Sequence, residues 1–175
     1  MGEGFDEEFD ENEALMAWLE RHGPDEWHQI ALSANWDFVD PKLFEWIIAQ
    51  PDCDEATALA LFWRGGVSWL AAHPDEPHEA AGLLRAILRR WSEDGFARGE
   101  IAFPGGVDDA MIRDGEIGRM DAEGTRDALG MPPDMLRDHP GRIVGRREDA
   151  PEGFPEEIYP PGYLDAVAAQ VRRDP

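Results

Sequence analysis

The chain has 175 residues, with 38 Asp and Glu against 16 Lys and Arg, giving a formal net charge of −22. That length suits one domain around one core, the charge disfavours nucleic acid as a partner, and a single cysteine, Cys53, excludes an intrachain disulfide or a cysteine-rich zinc site. A hydrophobic fraction of 42% with seven tryptophans supplies core material, while a mean hydropathy of −0.51 predicts a heavily solvated surface.

Residues 1–10, MGEGFDEEFD, form an acidic arm whose Phe5 or Phe9 is expected to rest on the body. The arm is acidic where a secretory leader would be basic and then apolar, and Asp6 stands where a myristoylation signal needs Ser or Thr, so a cytoplasmic protein is expected. A first helix is predicted over Asn12–His22, with Leu15, Trp18 and Leu19 on one face and Gly23 as its stop. Pro24 opens a second, where Asp25 and Glu26 complement the positive end and Trp27, Ile30, Ala31 and Ala34 recur at helical spacing. Asp40 and Pro41 make a cap and first-turn pair for a third helix through Gln50. Asp52 with Glu55 has capping-box spacing and Asp54 with Thr57 offers an alternative start, for a fourth helix ending before Gly65 and Gly66. Its run Ala56–Trp63 is the longest apolar stretch, far below the roughly 20 residues that cross a bilayer, so no membrane association is expected.

A helical turn is predicted at Val67–Ala72, then a loop from His73 to Pro77. Leu83, Leu84, Ile87, Leu88 and Trp91 mark a long amphipathic helix ending near Gly95, whose Arg85, Arg89 and Arg90 are expected to face the acidic N-terminal helices. Ile101–Phe103 reads as a short extended piece. From Asp108 to Pro161 glycine and proline recur among charges, and only Ala122–Leu129 and Pro133–His139 suggest short helices. Tyr163–Arg173 reads as a closing helix, with Arg172 and Arg173 at its negative end. The fold expected is all-α: a compact helical bundle over residues 1–107, including the acidic arm, with an irregular, Gly/Pro-rich extension over 108–175 and its closing helix packed on the same domain.

The segments HQIALSANWDF, EWIIAQPDCDEATALALFWRGG and LLRAILRRWSEDGFARGEIAF resemble, in order and spacing, the bacterial family known as domain of unknown function 4274. The likeness runs from Trp27 to Phe103. It rests on the Asn35-Trp36-Asp37 triplet, the Pro-x-Cys-Asp-x-x-Thr-Ala-Leu segment from Pro51 to Leu59 and the Phe62-Trp63 pair. The resemblance implies a small helical bacterial domain and brings no catalytic residue with it.

Asn35, Asp37, Asp54 and Thr57 stand out as polar residues on an apolar background. Asn35 is expected as a left-handed C-cap, Asp37 as an acceptor in the following turn, Asp52 or Asp54 as an N-cap, and Thr57 as a bond to the backbone one turn back. The functional alternative has Asp37, Asp54 and His28 converging between helices. Trp36 and Trp69 are the tryptophans suited to an interface, tryptophan being enriched at binding hot spots. Cys53 lacks the signature of a nucleophile, His73 and His78 lack the spacing of a helical zinc pair, and His22 and His139 read as surface residues. Gly65-Gly66 and Gly105-Gly106 lack nucleotide-binding frames, and no esterase, kinase or metalloprotease signature occurs. No cofactor or metal is expected. Charge being concentrated in the N-terminal part, with sixteen Asp and Glu against Arg21 and Lys42 up to Trp63, the expectation is a non-catalytic acidic protein that binds a basic protein, such as an inhibitor or immunity protein. The rival is an enzyme or small-ligand binder with a polar pocket near Asn35, Asp37 and Asp54.

Overall fold

Asp10 opens the first helix, α1 (Glu11–Leu19), by accepting from the amides of Asn12 and Glu13 at 2.9 and 3.0 Å. These are amides that no carbonyl of the helix can reach. Pro24 starts α2 (Pro24–Ser33), where Glu26 reaches back to the Gly23 amide at 3.2 Å. Asp40 holds the Lys42 amide at 2.9 Å and begins α3 (Pro41–Ala49), and Asp54 begins α4 (Glu55–Arg64). Gly66, at φ 77°, makes the left-handed turn into α5 (Val67–Ala72), a conformation that a side chain would strain. Then come α6 (Ala81–Glu93), α7 (Val107–Glu123) and α8 (Tyr163–Val171), with 3-10 turns at Pro133–Leu136 and Glu156–Ile158. The computed structural model describes residues 9–93, 95–150 and 152–171. Among these, extended backbone pairs only at isolated bridges, Asp54 with Arg98, Ile101 with Arg142 and Phe103 with His139, so the fold is all-α.

α4 is the central element. Each residue from Ala56 to Trp63 is buried, and α2, α6 and α7 pack around it, while α3 joins α6 and α1, and α5 joins α7. An all-round apolar surface has no stable place except inside such a ring. Trp18, Trp63, Phe44, Phe62 and Phe103 are the largest fully buried side chains, each contributing roughly 2–3 kcal/mol by leaving water. Trp27 meets Trp46 edge-on at 5.6 Å and donates its indole N–H to the Leu19 carbonyl, tying α2 to the end of α1.

Beyond Val107 the structure departs from expectation. Where short helices were predicted only at Ala122–Leu129 and Pro133–His139, residues Val107–Glu123 form the longest helix of the described chain. Its buried face carries Asp109, Arg113, Glu116 and Met120, three of them ionisable. Gly124, left-handed at φ 69°, ends it, so Ala122–Leu129 is not a helix, and of the second segment only Pro133–Leu136 coils. Residues 140–150 and 152–171 form a strap. Arg142 forks onto Asp25, Glu152 joins Asn35, Phe154 is buried, and Gly153 at φ 89° lies so close to α2's end that a Cβ would stand 2.8 Å from Ala34 Cα. Phe9 packs on Tyr159 and Tyr163 at 5.8 and 5.0 Å; Phe5, Arg172 and Arg173 lie outside the described residues. Of the α6 arginines, Arg90 does face an N-terminal helix, donating to the Ile48 and Gln50 carbonyls at the end of α3 and to that of Gly95 rather than to carboxylates, while Arg85 turns to the Pro74 carbonyl.

Candidate functional site

The polar residues that stood out in the sequence fall in two separate places, Asp54 with Thr57 at the start of α4 and Asn35 with Asp37 beyond the end of α2. Asp54, 1% exposed, sits at the start of α4, where Oδ1 accepts from Ala56 N at 3.0 Å and Oδ2 from Glu100 N at 2.8 Å and Ile101 N at 3.3 Å. It therefore caps one helix and anchors the returning 98–101 segment, whose Arg98 carbonyl in turn accepts from Glu55 N. One turn on, Thr57 does not bond to the backbone behind it through its hydroxyl; Oγ1 pairs with His28 Nδ1 at 3.1 Å across the α2–α4 seam. His28 is fully buried, and its Nε2 meets no partner among the described residues. Burial pulls its pKa down to about 4, against the opposing pull of Asp109, Asp54 and Asp25.

Asn35, Trp36 and Asp37 lie beyond the other end of α2. Asn35 is not a left-handed cap, since no residue other than glycine has positive φ among those described. Its Oδ1 accepts from Asp37 N at 3.1 Å and its Nδ2 donates to Glu152 at 2.8 Å, a local turn clasped by the strap. Asp37 is exposed and does not join Asp54 or His28; Trp36 is half-buried, tilted on Phe44 at 4.6 Å. Trp69, also half-buried, stacks with His73 at 4.7 Å and His78 at 4.9 Å.

Cys53 is fully enclosed and burial raises its thiol to about 12, which leaves it a packing residue with no thiolate at neutral pH. His22 rests against Trp18 at 3.8 Å, half-buried. His139, expected at the surface, is buried: Nδ1 faces Glu55 Oε1 and Nε2 the Asp134 carbonyl, each at 2.9 Å, with Trp91 edge-on. It holds the C-terminal segment to the start of α4. A second polar layer joins α4 and α5 to α7, where Arg64 meets Asp109 at 2.7 Å and Glu116 accepts from Ser68 N at 2.7 Å and from Arg119. His139 reads in the sequence only as a surface residue, and nothing there singles out this layer. Among the described residues no group of three or more His, Cys, Asp or Glu is placed to hold a metal ion, and no helix is long and apolar enough to cross a membrane.

Open hollows lie elsewhere. One, of about 250 Å³, is lined by Leu32, Gly105–Asp109 and Val144–Arg146 at the start of α7. Two more adjoin each other in the strap. The first, of about 240 Å³, is lined by Asp149, Glu152, Phe154, Glu156, Tyr159 and Leu164. The second, of about 180 Å³, shares Glu156, Tyr159 and Leu164 and adds Asp165. None of the three is lined by Asn35, Asp37, Asp54 or Thr57.

These features define an all-α protein whose polar residues knit a C-terminal strap to a helical core. Residues 22–90, from the turn after α1 to within α6, match the model of a family described as Domain of unknown function (DUF4274), a similarity that covers less than half of the chain. The match ends before the Ile101–Phe103 segment that the sequence resemblance also covered. No curated protein and no solved structure matches the chain.

Proposed function

We propose that the protein works by binding rather than by catalysis, as an acidic cytoplasmic protein that docks a basic protein partner in the manner of an inhibitor or immunity protein. One observation carries this reading: the cations are largely committed inside the molecule. Arg64, Arg98, Arg113, Arg119, Arg126, Arg137, Arg142 and Arg147 all pair with carboxylates of the chain itself, and Arg85 and Arg90 bond backbone carbonyls. What remains for solvent and partners is an excess of carboxylates from a net charge of −22. Such a field speeds the encounter with a basic surface and is screened by salt. A catalytic reading centred on Asn35, Asp37 and Asp54 has less support, since the Asp54 oxygens already hold three backbone amides.

The test is a pull-down from source-cell cytosol with the full chain immobilised, eluted by rising salt. A basic protein retained at low ionic strength and released as the Debye length falls from about 30 Å to 8 Å supports the proposal. Retention of no basic protein, or of one that salt does not release, refutes it.

A further inference from the structure

The two hollows in the strap share Glu156, Tyr159 and Leu164 and so form one groove. Its floor is apolar: Phe154 is buried, Tyr159 stacks on Tyr163 at 5.5 Å and 12°, and Leu164 is left 42% exposed. Its rim is acidic, with Asp149, Glu152, Glu156 and Asp165. Arg147 serves Asp149 and Glu157, and Asn35 serves Glu152, but no cation pairs with Glu156 or Asp165 among the described residues. The negative field is felt by the Tyr159 hydroxyl, whose ionisation burial disfavours first and the Glu11 carboxylate further.

Size and a neighbouring contact narrow the occupant. At about 240 Å³ the larger hollow of the two is smaller than the roughly 300 Å³ or more that drug-sized ligands fill, yet a single extended side chain suits it. In the same strap the chain already satisfies one guanidinium this way: Arg147 lies over the Trp18 ring at 5.2 Å while forking onto Asp149 at 2.9 and 2.6 Å. The start of α8 opposes a cation nearby, and Asp165 in its first turn offsets that. We propose that this groove receives an arginine side chain from a basic segment of the partner, its stem along Tyr159 and Leu164 and its guanidinium against Glu156 and Asp165. The inference rests on the basic-partner reading above and adds the place of contact.

Calorimetric titration of the full chain with tri-arginine, tri-lysine and tri-citrulline peptides tests it, citrulline being arginine's shape without the charge. Two variants of equal charge change are compared: Glu156→Gln/Asp165→Asn in the groove, and Asp75→Asn/Glu76→Gln in the loop between α5 and α6. The tri-arginine peptide is expected to bind more tightly than tri-lysine, tri-citrulline not at all, and the groove variant to lose about tenfold or more in affinity while the loop variant stays within about twofold. Equal loss in both variants overturns the groove and leaves the basic-partner reading intact. Equal binding of tri-lysine and tri-arginine overturns the arginine assignment. Absence of tri-arginine binding at low salt, alongside a basic protein retained in the pull-down, overturns the groove alone; absence of both overturns the two readings together.

Discussion

Asp54 holds three backbone amides from two segments, so its loss is felt twice. Replacement by alanine removes the α4 cap, worth about 1 kcal/mol, and leaves the Glu100 and Ile101 amides without their acceptor, for a total of about 3 kcal/mol. Urea denaturation of Asp54→Ala measures this directly, and a loss below about 1 kcal/mol would show that the 98–101 segment finds other partners. His28 makes a pH prediction whose sign follows from its environment. The unfolded chain takes up this proton near pH 6.5 and the folded chain near 4, so between those values the unfolded state holds more protons. Stability is therefore fully kept above pH 6.5 and falls as the solution is acidified toward 4, by up to something on the order of 3 kcal/mol. A nuclear magnetic resonance titration of the His28 ring reads its midpoint, and a value near 6.5 would contradict the buried, neutral imidazole.

At the scale of elements, α1 to α6 are legible because each is announced locally. Aspartate or a proline opens α1 to α4, apolar residues recur at helical spacing, and Gly65 closes α4, so propensity, pattern and cap agree there. α7 announces itself poorly. Asp109, Arg113, Glu116 and Met120 repeat at the spacing of a buried stripe, but three of the four are ionisable, and Gly115 and Gly118 lower the helix propensity between them. Only the partners make that face buriable, and these come from Arg64 on α4, Ser68 on α5 and Asp138 beyond the helix, which no local pattern discloses. The polar candidates show the same limit. Position leaves Asp52 and Asp54 both open as the α4 cap, which the structure gives to Asp54, whereas the Thr57–His28 and Glu55–His139 pairs join residues far apart in sequence. The α4–α7 pair gives a sharp expectation: Asp109→Ala strands a nearly buried Arg64 and costs about 3 kcal/mol or more, while Arg64→Met with Asp109→Leu recovers most of it by replacing charge with packing. Chemical denaturation of both variants decides, and a double variant no better than the single would mean the loss is not electrostatic.

For the molecule as a whole, self-repulsion from a net charge of −22 opposes compaction, while the ion pairs exposed at the surface, such as Arg98–Glu100 and Arg137–Asp134, each return no more than about 1 kcal/mol. Screening should relieve the first more than it weakens the second. The melting temperature is expected to rise between about 10 and 150 mM salt, and calorimetry showing a fall would mean that internal pairing outweighs repulsion. The strap carries a broader consequence. The block that matches the family model, residues 22–90, is not a closed body in this protein: Leu19 from one side takes the Trp27 indole, Arg142 clasps Asp25, Glu152 holds Asn35, and α7 covers α4 and α5. A fragment cut to residues 22–90 would therefore stand unroofed, its bare sides wetted, and is expected to melt well below the whole chain.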